Sequence, residues 1–409
     1  MITEELPPKI QNAYWFQAFN AVSWQLCLGS PLILFANALG APAVVLGLLA
    51  GLAPLTSVLQ LVVAPSAERI GYRNLMVRGW SARVATLIFL TLLPIAALWL
   101  PATVSIALLV LIMTAFTTLR GIATCAWLPW ITAIVPRPVR GFYLSRDRTY
   151  VSFASVAALA LAGIVLLSDA GLAEYAIVFG ISFLGGATSL YFLNRIPVPV
   201  VESSEQRPSV KLPWLSLLGD GPFTSLLIFS ATAQVFVLST SAFVTVFVRD
   251  QVGISAGAIL WLIAGASLLG VLSLRLMRDR IDRLGSRPFL GLVFLWWVIY
   301  FGLWWLMAAN LVTNAWLVAP LLLLAAGFFA AIYDISLTRL LMNTVGERPG
   351  MTQYFAFQSV IVSLLAGISP IMWGYLLDSL DNFELTIGGI TLDGYAPLLG
   401  YNGCCSQLF

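Results

Sequence analysis

Eleven long apolar runs, most of them about twenty residues, govern what this chain can fold into. They lie at 13–36, 43–63, 80–100, 102–134, 149–168, 173–194, 222–248, 254–276, 288–309, 315–342 and 351–377. At about 1.5 Å per residue, a helix of roughly twenty residues crosses a ~30 Å hydrocarbon core. A helix also satisfies its own backbone hydrogen bonds, as a lipid-facing segment must. Only 10% of the residues are charged, against about 25% in a soluble domain, so the chain has little with which to face water. The expected fold class is an all-α integral membrane protein.

The charges between the runs set an orientation. With the N-terminus inside, sixteen basic residues fall on inner loops, among them Arg69, Arg73, Arg78, Arg146, Arg148, Arg195 and Arg283, while the outer loops hold Arg249 alone. This is the positive-inside bias. The first ten residues, MITEELPPKI, are polar and lack a basic n-region, so the first helix is expected to act as an uncleaved insertion signal. The Pro- and Ser-containing segment 195–220 reads as a cytoplasmic linker. It divides the chain into 1–194, with six helices, and 221–409, with five clear helices and a short C-terminal segment, 396–409, too short and polar to cross.

Several function classes drop out. Histidine is absent, which removes His-ligated metals, Ser-His-Asp triads and His proton relays. Cys27, Cys125, Cys404 and Cys405 lack zinc-ligand or redox spacing and read as structural thiols. No metal site and no cofactor is expected. No GxxxxGK[ST] loop marks an ATP-driven pump, no clustered carboxylates or nucleophile–base pair marks an enzyme, and the basic residues are too scattered to bind nucleic acid.

The two parts repeat each other. AERIGYR (67–73) and IDRLGSR (281–287) each join the second and third helices of their half, and both read acid-Arg-x-Gly-x-Arg. TYVSFASVAALALAG (149–163) and QYFAFQSVIVSLLAG (353–367) open equivalent helices, with Tyr150/Tyr354, Phe153/Phe357, Ser155/Ser359 and Gly163/Gly367 coinciding. Repeated halves are a recurring design of secondary transporters.

The arrangement resembles the major facilitator superfamily over about 1–377. That family's loop runs Gly-x-x-x-Asp-Arg-x-Gly-Arg-Lys. Glu68, Arg69, Gly71 and Arg73 match it in the first copy, and Asp282, Arg283, Gly285 and Arg287 in the second. Ala64 and Arg278 replace the leading glycine, and Tyr72 and Ser286 the basic residue after the central one. The resemblance implies a bundle of two pseudo-symmetric six-helix halves, a cytoplasmic gating loop, and a cavity lined by helices 1, 4, 7 and 10. The last helix here is short or missing.

Polar residues inside spanning helices face a bundle interior or a wet cavity. Gln17, Asn20, Trp24 and Cys27 form one stripe of the first helix, and Gln234 lies on the corresponding helix of the second half. Arg120 and Asp334 are the ionisable residues deepest in their runs, at roughly equivalent places, and Tyr354 and Gln358 add further candidates. Interhelical packing is the competing use for the amides, and salt bridges near the cytoplasmic helix ends are the competing use for Arg120 and Asp334. Arg120 suits an anionic solute. Asp334, the only deeply placed acid in this reading, leaves proton coupling open beside uniport, anion exchange and sodium-linked transport.

The expected function is movement of a small-molecule substrate across the lipid bilayer by alternating access, by a monomer, with a bacterial cytoplasmic membrane as the default location. The alternative is a transporter-like protein that delivers lipid or pigment without solute transport.

Overall fold

Each of the long apolar runs becomes helix. The computed structural model describes residues 9–135, 139–167, 171–197, 214–345, 351–379, 385–387 and 390–392. In chain order the helices are α1 (Gln11–Leu28), α2 (Ser30–Ala38), α3 (Ala43–Ser57), α4 (Leu59–Ile70), α5 (Tyr72–Ala96), α6 (Ala102–Thr124), α7 (Trp127–Ile134), α8 (Arg140–Val165) and α9 (Leu172–Leu193). After them come α10 (Gly221–Phe236), α11 (Ser241–Asp250), α12 (Ala256–Leu284), α13 (Ser286–Ala308), α14 (Ala315–Val345) and α15 (Met351–Ser379). Among the described residues ten helical stretches are long and apolar enough to span a membrane, and α3 is a shorter apolar helix. A small antiparallel pair, β1 (Leu385–Ile387) with β2 (Ile390–Leu392), follows α15. Residues 396–409, the expected short last segment, lie outside the described residues.

The two acid-Arg-x-Gly-x-Arg loops have the same backbone geometry. Gly71 has φ +86° and Gly285 φ +81°, a region that other residues resist. Each glycine stands immediately before a spanning helix, α5 or α13. The chain therefore reverses direction at a single residue in both copies.

Two helices break where the sequence pattern runs on. α1 ends at Gly29, and α2 begins with Pro31 in its first turn, where the missing N–H costs nothing. Between α10 and α11 the chain passes through the single 3₁₀ turn Leu238–Thr240, without a proline. Here side chains take the freed carbonyls: Ser239 Oγ donates to Gln234 O at 2.7 Å and Trp373 Nε1 to Val235 O at 2.6 Å.

The contacts divide the chain into two compact units. The first comprises Met1–Ala41, Leu52–Ser203 and Ser255–Ala264, and the second Pro42–Gly51, Ser204–Ile254 and Gly265–Phe409. α3 and α12 are thus each shared. In the first unit α1 packs on α8 and α9, and α5 on α6 and α9. Its core is aromatic, with Tyr14, Phe16, Trp80, Trp130 and Tyr143 all buried. A Cβ on Gly163 would press on Trp261 and the carbonyl of Gly257, so α8 meets the first turns of α12 at backbone distance. In the second unit a smaller core gathers Phe223, Leu226, Leu227, Leu341 and Val345. There α3 meets α15 along glycines: Gly47 faces Pro370 O, Gly51 faces Gly367 O, and Gly374 faces Ala43 O. Gly163 and Gly367, equivalent in the sequence repeat, thus both sit at such crossings. The α3–α15 crossing ends on Asp378, whose two carboxylate oxygens accept from Ala43 N at 2.7 Å and Val44 N at 2.8 Å.

Two local expectations need correction. The run 149–168 belongs to a helix that starts at Arg140, because Tyr143 and Asp147 turn inward and no glycine or proline interrupts 142–148. The run 102–134 divides at Cys125–Ala126 into α6 and α7. Trp130, near the end of that run, is fully buried and donates from Nε1 to Pro197 O at 3.1 Å. Trp15, Trp99 and Trp316 are exposed as an interfacial belt requires.

Candidate functional site

The α1 stripe faces the interior of the first unit and meets two different partners there. Asn20 Oδ1 accepts a hydrogen bond from Arg83 Nη1 at 3.0 Å. Arg83, on α5, is 0% exposed. Its guanidinium lies 4.1 Å from the Trp80 ring centroid and 4.7 Å from that of Phe116, and its Nε and Nη2 have no hydrogen-bond partner. Aromatic faces attract a cation, but they do not replace a counter-anion. A buried, unpaired charge costs several kcal/mol.

Arg120, on α6, stands within electrostatic reach of Arg83, and Cys27 on α1 lies near both. It is half-buried. Gly121 beside it packs against Thr56 O, bringing α6 against the end of α3, and Thr124 Oγ1 donates to the Arg120 carbonyl. Among the described residues neither guanidinium has a carboxylate within salt-bridge distance. Two like charges therefore share one low-dielectric neighbourhood, with the Asn20 amide against Arg83 and the Cys27 thiol near both.

Gln17, one turn before Asn20, hydrogen-bonds the carboxylate of Asp147 on α8. Asp147 Oδ1 is buried without a partner, as are the hydroxyls of Tyr14 and Tyr143. Tyr14 stacks on Tyr143 at 5.1 Å and on Tyr150 at 5.4 Å, and Arg146 lies 5.6 Å from its ring centroid. Burial pushes the Tyr143 hydroxyl above the usual tyrosine range, with Asp147 and Tyr14 adding to the effect. Trp24 lends its carbonyl to Cys27 Sγ at 3.9 Å.

The candidates of the second unit have surroundings of their own. Gln234 Nε2 reaches Ser239 Oγ at 3.5 Å, and Ser239 is bonded to Ser369 on α15, so this amide serves the helix break. Tyr354 is edge-on to Phe223 at 4.8 Å, in the apolar cluster. Gln358 is half-buried and Asp334 is exposed on α14. The loop cations Arg69, Arg283 and Arg287 are exposed, whereas Arg73 Nη2 donates to Asn194 O at 3.1 Å. The side chains of Glu68 and Asp282 lie outside the described residues. No group of three or more acidic or cysteine side chains among the described residues could hold a metal ion.

Sequence reasoning missed Arg83 and Asp147. Each carried a signal: Arg83 is a lone cation inside an apolar run, and Asp147 is an acid amid arginines that would otherwise make a wholly basic loop.

The sequence profile described as Major Facilitator Superfamily matches residues 14–370. Comparison with curated proteins finds no match. Among solved structures the chain is similar to the nucleoside transporter NupG, at 14% identity and a TM-score of 0.68, over 98% of this chain and 97% of that one. It is similar to a D-xylose-proton symporter at 12% identity and a TM-score of 0.73, over 97% and 95%. A bacterial homologue of the iron transporter ferroportin, in its inward-facing state, gives 12% and 0.69, over 99% and 97%. At these identities the likeness is one of fold. With the profile covering most of the chain, this multi-pass membrane protein belongs to the major facilitator superfamily, whose members move solutes by alternating access.

Proposed function

We propose that the chain is a secondary transporter for a small solute bearing an anionic group, recognised in the first unit by Arg120 with Arg83 and Asn20 behind it. One observation carries the reading: Arg83 and Arg120 lie within electrostatic reach of one another, and neither has an acidic partner among the described residues. An anion would relieve both the desolvation of the pair and its mutual repulsion. Planar guanidiniums suit carboxylate or phosphate oxygens. Arg120 is the reachable member, and Arg83, sealed by Trp80 and Phe116, adds positive potential from behind.

The remaining features of the reading follow from sequence. The protein works as a carrier and not as an enzyme, as a monomer, without nucleic acid. It sits in a bacterial cytoplasmic membrane with its N-terminus inside, as the loop arginines favour. The halves 1–194 and 221–409, joined by 195–220, exchange access. Gln17 and Gln234 serve support roles, Trp24 offers a solute-facing surface in the first unit and Tyr354 and Gln358 offer one in the second, and the two Gly71/Gly285 loops, with Glu68 and Asp282, act as cytoplasmic gates. Asp334 has no assigned role in recognition.

The test is a binding screen on purified protein, read by tryptophan fluorescence and thermal shift. It pairs each anionic solute with a neutral isostere. Anions should saturate the wild type and bind Arg120→Ala at least about 10-fold more weakly, with Arg120→Lys intermediate, since losing a charged hydrogen bond costs about 1.5–3 kcal/mol. A neutral solute bound equally by both proteins refutes the anionic reading.

A further inference from the structure

Asp147 is a half-buried acid that the anion site does not use. One of its oxygens is held by Gln17. The other, Oδ1, is buried without a partner, and the hydroxyls of Tyr14 and Tyr143, which both feel the charge of Asp147, are equally unpartnered. Buried polar atoms are rarely left bare, and three in one cluster mark a place where a proton or a water completes the bonding. The titratable groups that feel Asp147 are Tyr14 from α1 and Tyr143 from its own helix, and the cation that acts on its charge is Arg148. Arg146 and Arg148 are both exposed, so water screens them. Among the described residues α5, α6 and α9 contribute no charged group to these surroundings. Among the described residues the carboxylate therefore has no buried counter-cation to hold it ionised.

The position of Gln17 gives the cluster a connection. Gln17 and Asn20 lie on one stripe of α1, a single turn apart. The first is bonded to the acid of α8 and the second to the cation of α5. We propose that Asp147 is a proton-binding site, linked through α1 to the Asn20–Arg83 pair, so that a proton and an anion are bound together. In the step, hydronium gives up a proton, so that one of its O–H bonds breaks as an O–H bond forms on Oδ1 of Asp147, a neutral water is left, and the carboxylate charge disappears. Removing that negative charge makes the interior of the first unit more positive. Protonation and anion binding then favour each other reciprocally. The second half of this statement rests on the anionic reading above, and the first half does not.

The test uses the purified full chain. Infrared difference spectra between about pH 8 and about pH 5 report carboxyl protonation through the C=O stretch. The wild type should show a protonated-carboxyl band that is absent from Asp147→Asn and shifted in frequency in Gln17→Leu, where the acid loses its amide partner. An Asp147→Asn spectrum that superimposes on wild type overturns the proton site. Should that variant fail to fold, an unshifted band in Gln17→Leu does the same. Inorganic phosphate, succinate and benzoate then serve as anion probes in thermal-shift titrations at the two pH values. An affinity about 10-fold or more tighter at the lower pH in wild type, and pH-independent in Asp147→Asn, supports the linkage. Equal pH dependence in both proteins overturns it. A carboxyl band without any anion effect in wild type sinks the anion site and the linkage with it, while the proton site stands.

Discussion

Asp378 offers the most direct test of how the second unit is held. Its carboxylate receives the first two amides of α3, at 2.7 Å and 2.8 Å, groups that have no partner inside their own helix. It adds a negative charge at the positive end of the helix dipole. Hydrogen bonds to a charged group contribute about 1.5–3 kcal/mol when well buried, and loss of an N-cap typically costs about 1 kcal/mol. Asp378 is half-buried, so solvent screening brings the expected loss in Asp378→Ala to about 1–2 kcal/mol. That is a factor of about 5–30 in the opening equilibrium of the first turn of α3. Hydrogen exchange read by mass spectrometry on a peptide covering 42–52 measures this opening. Exchange of the Ala43 and Val44 amides should quicken by that factor in Asp378→Ala and by less in Asp378→Asn, which keeps one acceptor oxygen. Unchanged exchange in the alanine variant would show that water or another group caps the helix equally well, and the reasoning would be wrong.

Other consequences are as sharp. Gly51→Ala should destabilise the protein by about 1–3 kcal/mol through overpacking against Gly367 O, whereas Gly302→Ala, with open space at its Cβ, should be neutral or gain up to about 1 kcal/mol of helix propensity; thermal unfolding separates the two. Arg83→Met should raise the melting temperature, because it removes a buried unpaired charge, while weakening the anion response in the same assay. Ser239→Ala should cost about 1–3 kcal/mol, since it leaves the Gln234 carbonyl bare at the helix break. Tyr143 titrates above the usual tyrosine range. The folded protein thus holds its proton longer than the unfolded chain, and stability present below about pH 10 declines as pH rises further, by up to about 1.4 kcal/mol per pH unit. Tyr143→Phe should flatten that alkaline decline, measured as melting temperature against pH.

The spans were legible because a membrane demands long apolar stretches and little else. The turns at Gly71 and Gly285 were legible because only glycine takes such a φ readily. Arg83 was not: its burial depends on Trp80 one turn away and on Phe116 from another helix, and no local pattern encodes that meeting. Asp147 was hidden by its neighbours, since Arg146 and Arg148 make 140–148 look like a loop although its inward residues pack on α1. The break after α10 was equally silent, because Ser239 and Trp373 stabilise it from outside the local backbone. Trp130 shows the same limit, being an aromatic near a span end that serves the core.

The sharing of α3 and α12 between the units bears on how the protein is made. Residues Pro42–Gly51 leave the ribosome early yet belong with the second unit, and Ser255–Ala264 leave late yet belong with the first. At about 5–20 residues per second, the stretch from Leu52 to Ser255 takes on the order of 10–40 s to synthesise. Throughout that interval the small-residue face of α3 has no α15 to meet, and Gly163 awaits Gly257. Neither unit can finish folding on its own schedule. The first unit closes only once Ser255–Ala264 is made and the second only once α15 is, so a ribosome stalled before Ser255 would leave the first bundle unfinished in the membrane.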